Sequence, residues 1–171
     1  MKSTDLPNFS NWQKWNPEAV RKAPNLPGVY AFKLAGRNFG RFNGESDLVY
    51  IGCTESAGGT INRRLSDHLP SRADVLDVAH RLRDVQKVGE LEVAWKIVTT
   101  QEETIDEEAR LLRHYYWDHF ELPPVNRSEP ASEARKAIEY LAESTAREVA
   151  EKAVEHVIRE ERLKKRPGTE T

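Results

Sequence analysis

Apolar side chains alternate with smaller or polar ones in parts of the chain, and this period of two predicts β-strands. The clearest case is residues 91–99, in which apolar residues occupy every second position from Leu91 to Ile97. Residues 28–33 and 48–53 are apolar runs that contain glycine, and they are predicted to be two further strands. The connection between them carries turn-forming residues and favours a long hairpin loop: Gly36, Gly40, Gly44 and Asp47.

Apolar residues at spacings of three and four predict helices between the strands. Asn16 followed by Pro17 favours a helix start, because asparagine caps a helix and proline suits its first turn. Thr100 and Thr104 each precede a glutamate by three residues, so either could form a capping box, with Glu103 or with Glu107. Four helices are predicted before Pro123-Pro124 ends regular structure: from Pro17 to Lys22, from Thr60 over the stripe Ile61, Leu65 and Leu69, from about Ala73 to Val88, and from Thr100 or Thr104 to about Phe120.

The composition changes after residue 128. Residues 131–164 contain no glycine or proline and are rich in alanine, glutamate, arginine and lysine. The pattern predicts a long amphipathic helix with an alanine-rich seam, which serves packing or dimerisation, so a homodimer through this helix stays open. The predicted organisation is a lead-in with a short helix over residues 1–26, an α+β domain over residues 27–127, and a helical extension over residues 128–171.

The bulk composition limits the classes of function. A chain of 171 residues, 38% of them hydrophobic, is long enough for one globular domain with an appendage. The formal net charge of -2 provides no general electropositive surface, so any contact with nucleic acid needs a local patch. The lone Cys53 excludes an intrachain disulfide and is predicted to be a small buried side chain. No apolar run suggests a secretory signal or a membrane span, so we expect a cytoplasmic protein without a membrane partner.

Several polar residues stand at positions that a plain structural role does not require. Tyr30 and Tyr50 lie in the middle of predicted strands, and both hydroxyls can project from one face if the strands pair in a suitable register. Arg64 and His68 are four residues apart and are therefore neighbours on one helix face. Arg63 points about 100° away from Arg64, which makes it the poorer candidate for the same site.

Glu108 is predicted to lie on the inward stripe of its helix. It precedes Leu111 and Leu112 by three and four residues, and these leucines are expected to face the core. The neighbouring Glu107 has a structural role available in a capping box with Thr104, whereas Glu108 has no such role. Glu108 is therefore the stronger candidate for chemistry.

These residues occur in an order that resembles the GIY-YIG endonuclease family. A single tyrosine beside a glycine carries little information, but several elements in the right order, with arginine and histidine four apart, are specific. The resemblance covers about residues 26–127 and comprises Pro27-Gly28-Val29-Tyr30, Val49-Tyr50-Ile51-Gly52, the segment from Arg63 to His68, Glu108 before Leu111-Leu112, and Pro123-Pro124-Val125-Asn126. It implies a small antiparallel sheet, of about three strands here, flanked by helices.

The resemblance also implies a function, namely metal-dependent hydrolysis of phosphodiester bonds in nucleic acid, with DNA favoured over RNA. Glu108 would hold Mg2+ or Mn2+, which prefer oxygen ligands. Arg64 would clamp the scissile phosphate through its planar guanidinium. Tyr30 as first choice, or Tyr50 as second, would act as general base or orient the attacking water.

The remaining site residues are expected to support that chemistry. His68 would share protons or bind phosphate. Gly52, Arg63 and Asn126 are expected to lie against the substrate, and Asn126 also resembles the asparagine that ties the family's last loop back to the site. A strip formed by Arg63, Arg72, Arg81, Arg83 and Lys87 with His68 and His80 would contact phosphates or would be an ordinary solvated face.

The chain departs from the family pattern at two places. Many members carry a lysine directly after the second glycine, where this chain has Cys53, and a thiol cannot lower a tyrosine pKa by charge. The glycine-containing loop at residues 56–59 also lengthens the interval between Tyr50 and Arg64. An alternative function is therefore a nucleic-acid-binding module that keeps this fold with weakened catalysis.

Overall fold

The computed structural model describes residues 1–55, 58–73 and 76–128 of the chain. They belong to one compact unit, which spans Met1–Ala134. The long helix predicted over residues 131–164, and the homodimer considered through it, lie outside the described residues.

An antiparallel sheet of four strands forms the centre of this unit. The chain forms six strands: β1 (Gln13–Lys14), β2 (Gly28–Leu34), β3 (Phe39–Gly40), β4 (Glu45–Ser46), β5 (Leu48–Cys53) and β6 (Leu91–Ile97). The strands of the central sheet run in the spatial order β1-β6-β2-β5, and a separate hairpin, β3-β4, occupies the predicted loop.

The helices fall where the apolar periodicity predicts them, and the α+β class with an antiparallel sheet is confirmed. Short 3-10 turns accompany them at Ser3–Asp5, Pro70–Arg72 and Pro124–Ser128. The helices are α1 (Pro17–Lys22), α2 (Ile61–Asp67), α3 (Asp77–Gln86) and α4 (Gln101–His119).

Local capping explains where these helices begin. The Asn16 side chain accepts hydrogen bonds from the backbone at the start of α1, and Thr60 does the same for α2. Thr100 forms the capping box of α4 with Glu103. The capping box considered for Thr104 is wrong, because Thr104 is buried inside α4 and its hydroxyl donates to the carbonyl of Gln101.

The N-terminal residues are part of the domain rather than a separate lead-in. Trp15, Ala19 and Val20 belong to the hydrophobic core, and Gln13 pairs with Val93 as part of the short fourth strand β1. A strand of two residues is too short to show a period of two, so the sequence pattern did not reveal it.

Strand β2 separates two differently covered faces of the sheet. Tyr30 and Phe32 share the face on which α1, α2 and α3 contribute the core. Val29 and Ala31 point the other way and are completely buried. Helix α4 covers this second face, since Lys96, the cross-strand partner of Val29, forms an ion pair of 2.9 Å with Glu107 of α4.

Within the described part of the chain, no helix is long and apolar enough to cross a membrane.

Candidate active site

The two tyrosines lie on the same face of the sheet. Strands β2 and β5 are antiparallel, with Tyr30 opposite Gly52 and Phe32 opposite Tyr50. Tyr30 and Tyr50 are therefore diagonal neighbours, and their ring centroids are 6.1 Å apart. This is the register that the sequence analysis required for both hydroxyls to project together.

Gly52 allows the two hydroxyls to converge. A Cβ atom at this position would lie 2.9 Å from the hydroxyl oxygen of Tyr30 and 2.9 Å from that of Tyr50. It would also lie 2.7 Å from Cε1 of Tyr50. The space that a side chain would need is thus filled by the tyrosines themselves, so Gly52 shapes the site from within the protein.

His68 is hydrogen-bonded to Tyr30 inside the protein. The distance from the Tyr30 hydroxyl to Nε2 of His68 is 2.8 Å, and both side chains are buried. His68 follows the last residue of α2 and caps that helix. Its other ring nitrogen, Nδ1, has no hydrogen-bond partner among the described residues. Burial, and secondarily the charge of Arg64, lowers the pKa of His68 to about 3, so the imidazole is neutral at pH 7.

Arg64 brings a positive charge to the tyrosines. Its guanidinium interacts with Tyr30 and Tyr50, its side chain is 30% exposed, and its Nη2 lies 3.8 Å from the Glu55 carboxylate. Burial nevertheless raises the pKa of Tyr30 above its usual value, and the charge of Arg64 offsets only part of that rise. Burial likewise raises the pKa of Tyr50. Both phenols therefore keep their protons at neutral pH.

Glu108 approaches this cluster from helix α4. Its charge contributes to the raised pKa of both tyrosines, so its carboxylate lies within electrostatic range of them. Burial raises the pKa of Glu108 to about 7. A hydrogen bond from Cys53 and the charge of Arg64 oppose that rise, while the charge of Glu55 adds to it. The positive charge of Arg64 thus compensates only part of the cost of burying this carboxylate.

Cys53 contacts Glu108, which the sequence analysis did not foresee. Its Sγ lies 3.1 Å from Oε2 of Glu108. Tyr50 and Cys53 are three residues apart on β5, so their side chains leave opposite faces of the strand. Glu108 thus meets the strand on the face of Cys53, the face that α4 covers. Burial was predicted correctly for Cys53, but no signal in the sequence pairs it with a residue 55 positions away.

Two of the other predicted site residues have different surroundings. Arg63 is exposed, in agreement with its predicted direction away from Arg64. The side-chain amide of Asn126 makes two hydrogen bonds to the backbone of Ile51, at 3.0 Å and 2.8 Å. It therefore ties the chain after α4 to strand β5, and this contact positions the site.

Part of the basic strip is engaged with neighbouring acids and carbonyls. Arg81 forms an ion pair with Asp77 and donates to the carbonyl of Val125. Lys87 forms an ion pair of 2.7 Å with Asp84.

Glu107 does not form the capping box that the sequence offered it with Thr104. Its carboxylate binds Lys96 and Arg110, and its pKa is lowered to about 2, mainly by Arg110.

Glu108 is the residue of this site that carries the oxygen ligands a hard cation prefers. Among the described residues, no group of three or more histidine, cysteine, aspartate or glutamate side chains is arranged to hold a metal ion. Glu108 offers carboxyl oxygens, the charge of Arg64 compensates part of its negative charge, and Glu55 lies within electrostatic range of it. Because Mg2+ retains several waters and takes one or two protein carboxylates, such a site needs water molecules to complete the coordination, joined by phosphate oxygens when substrate is bound.

Searches of protein-family models, curated proteins and solved structures give no match to this chain. What can be inferred about this chain therefore comes from its sequence, its fold and its side-chain cluster. It is an α+β protein with two tyrosines, an arginine and a histidine clustered on one face of its sheet, and with a glutamate on α4 within electrostatic range of them.

Proposed function

We propose that this chain is a divalent-metal-dependent endonuclease of the GIY-YIG type that hydrolyses phosphodiester bonds in DNA. The observation that supports this most directly is the hydrogen bond between Tyr30 and His68 beside the guanidinium of Arg64. Burying a phenol and an imidazole beside a partly exposed arginine is costly for folding, and apolar residues would fill the same space without that cost. The cytoplasmic location stays a prediction from the sequence.

Tyr30 and His68 can remove a proton from the attacking water. The neutral imidazole accepts the phenolic proton at Nε2 while the phenolic oxygen takes the proton of water, so Tyr30 never has to persist as a phenolate. At neutral pH the imidazole of His68 is unprotonated and the phenol of Tyr30 is protonated, which is the starting state of this relay. Because the lowered pKa also makes His68 a weak base, the relay depends on nearby positive charge, that of Arg64, to make the attacking water more acidic. Tyr50, above the same glycine, orients the water. The resulting hydroxide attacks phosphorus, the bond from phosphorus to the leaving oxygen breaks, and the leaving oxygen takes a proton from solvent. The proton held by His68 then returns to solvent through Tyr30.

Arg64 holds the scissile phosphate. Its guanidinium is partly exposed and lies next to Tyr30, so a phosphate that it binds is presented to the tyrosine hydroxyls. Arginine suits this task because its planar fork donates two parallel hydrogen bonds to a phosphate and never loses its charge. The positive charge also stabilises the negative charge that grows on phosphorus oxygens during attack.

Glu108 would hold the divalent cation, with Glu55 as a further carboxylate within electrostatic range. When bound, Mg2+ or Mn2+ would supply charge stabilisation at the phosphate and the leaving oxygen.

Nicking of supercoiled plasmid in the presence of Mg2+ or Mn2+ tests this proposal. The wild-type chain should cut, while Glu108→Gln and Arg64→Lys should each lower the rate by roughly 10²-fold or more. Glu102→Gln and Arg21→Lys are the matched controls, since both residues are exposed and lie outside the cluster. A wild-type chain that folds and does not cut with either cation would contradict the proposal.

A second candidate function is a nucleic-acid-binding module with little or no turnover. The complete burial of Tyr30 favours it, because an enclosed hydroxyl bonded to His68 also serves as a purely structural pair. In that case DNA binding would persist while nicking is absent, and Tyr30→Phe would change stability without changing affinity for DNA. Measurement of DNA binding by fluorescence anisotropy, alongside nicking, separates the two functions.

A further inference from the structure

The thiol of Cys53 is the hydrogen-bond donor that the structure provides for the catalytic carboxylate. Cys53 ends strand β5 and is buried, and its Sγ lies 3.1 Å from Oε2 of Glu108. Thr104, one helical turn before Glu108 on α4, also faces this sulfur and is completely buried. The sulfur is thus enclosed between a strand end and one face of α4, in a fixed place beside the carboxylate.

We propose that Cys53 is a positioning residue, which holds the Glu108 carboxylate in the orientation that binds the divalent cation. This inference rests on the proposed function. A glutamate side chain has several rotatable bonds, and no other hydrogen bond to Glu108 is found among the described residues. A donor on Oε2 restrains the carboxylate and leaves Oε1 free for the cation. Groups that hydrogen-bond to metal ligands typically orient them in this way.

A thiol suits this place better than a charged donor. Many members of the GIY-YIG family carry a lysine at the position of Cys53. A lysine here would put a positive charge next to Glu108. That charge would neutralise the carboxylate and repel a divalent cation from it. A neutral S–H group orients the oxygen and leaves its negative charge available. The departure from the family pattern at Cys53 therefore gains a physical role in this chain.

Binding of Mn2+ to the full chain without DNA, followed by electron paramagnetic resonance, tests the inference independently of cutting. Cys53→Ser keeps a neutral donor and should bind Mn2+ within about threefold of the wild type, whereas Cys53→Ala should bind it about tenfold more weakly. Cys53→Val, which fills the space but donates nothing, should behave like Cys53→Ala. Far-ultraviolet circular dichroism of each variant shows whether it is folded. Equal Mn2+ affinity in the wild type and in either folded non-donor variant would overturn the proposal.

The S–H stretching band provides a second, metal-free test. The chain has one cysteine, so the band in the Raman spectrum belongs to Cys53 alone. It should lie at lower frequency than the band of a free thiol, and it should move upward in Glu108→Ala; a band that does not move contradicts the hydrogen bond. Mn2+ binding and a shifted band without plasmid nicking would overturn the endonuclease function and leave the role of Cys53 intact. A wild-type chain that binds no Mn2+ would overturn both.

Discussion

The hydroxyl of Tyr30 and Nε2 of His68 lie 2.8 Å apart in the interior of the protein. The two residues come from different elements, strand β2 and the C-terminal end of α2, and are 38 positions apart in the chain. Each side chain is buried and satisfies one polar atom of the other. Their pairing therefore links the stability of the fold to the protonation of His68.

The first prediction concerns the pH dependence of stability. His68 has a pKa of about 3 in the folded chain, below its usual value of 6.5, so between these values the unfolded chain binds a proton that the folded chain does not. The contribution of His68 is therefore complete above about pH 6.5 and is lost as the pH falls. His68→Gln should remove a slope of up to about 1.4 kcal/mol per pH unit from the free energy of unfolding in this range.

Urea unfolding at a series of pH values measures that slope. Tyr30→Phe is the matched control, because it removes the hydrogen bond but keeps a buried imidazole, and its acid slope should stay. An identical slope in His68→Gln and the wild type would show that His68 is not neutral in the folded chain.

The second prediction concerns the glycine beneath the tyrosines. Gly52→Ala would place a methyl group 2.7 Å from the Tyr50 ring and 2.9 Å from both hydroxyl oxygens, so the tyrosines must move. Overpacking of this kind typically costs about 1–3 kcal/mol, and displacement of Tyr30 should also abolish cutting. Gly40→Ala is the control, since a Cβ there meets open space. Thermal unfolding and plasmid nicking of both variants provide the comparison, and equal behaviour of the two would refute the crowding argument.

The third prediction separates positioning from substrate contact at Asn126. Asn126→Ala removes two hydrogen bonds from the backbone of Ile51 and should lower the free energy of unfolding by about 1–3 kcal/mol. Affinity for DNA should change little once the variant is folded, because both bonds are made to the protein. Asn11→Ala, at an exposed position, is the control. Weakened DNA binding without loss of stability would instead assign Asn126 to the substrate.

The fourth prediction concerns the ion pair between Arg64 and Glu55. The Glu55 carboxylate lies 3.8 Å from Nη2 of Arg64, where it competes with a phosphate for the guanidinium. Glu55→Gln should therefore tighten DNA binding about two- to fivefold in the absence of divalent cation, an effect that fades as salt screens the charges. Glu102→Gln should leave the affinity unchanged. Weaker binding in Glu55→Gln would show that Glu55 does not compete with phosphate at Arg64.

Local chemistry made much of the fold predictable. The starts of α1 and α2 follow from Asn16 and Thr60, whose capping atoms lie within three residues of the groups they bind. The sequence does not decide which threonine forms the capping box of α4, because Thr100 and Thr104 each precede a glutamate by three residues. Burial decides between them, and burial depends on the packing of α4 against the sheet.

The site was predictable as a set of residues but not as a set of contacts. Alternation along β2 and β5 indicates which face Tyr30 and Tyr50 can share, and spacing pairs Arg64 with His68. The contact between Cys53 and Glu108 joins residues 55 positions apart. Neither strand alternation nor helical spacing relates these two positions, so the sequence pattern does not predict the contact. Such contacts depend on the register and twist of the sheet and on the placement of α4 across it, which one sequence does not specify.

Strand β5 lies at the edge of the four-stranded sheet, where the outward backbone groups of an unprotected strand invite pairing with another molecule. Asn126 occupies both the N–H and the carbonyl of Ile51 at this edge. One side-chain amide thus makes the two hydrogen bonds that a neighbouring strand would make to Ile51. The edge of β5 is therefore not available at this residue for edge-to-edge pairing with another molecule. Loss of the Asn126 side chain would accordingly expose this edge and promote self-association of the protein at high concentration.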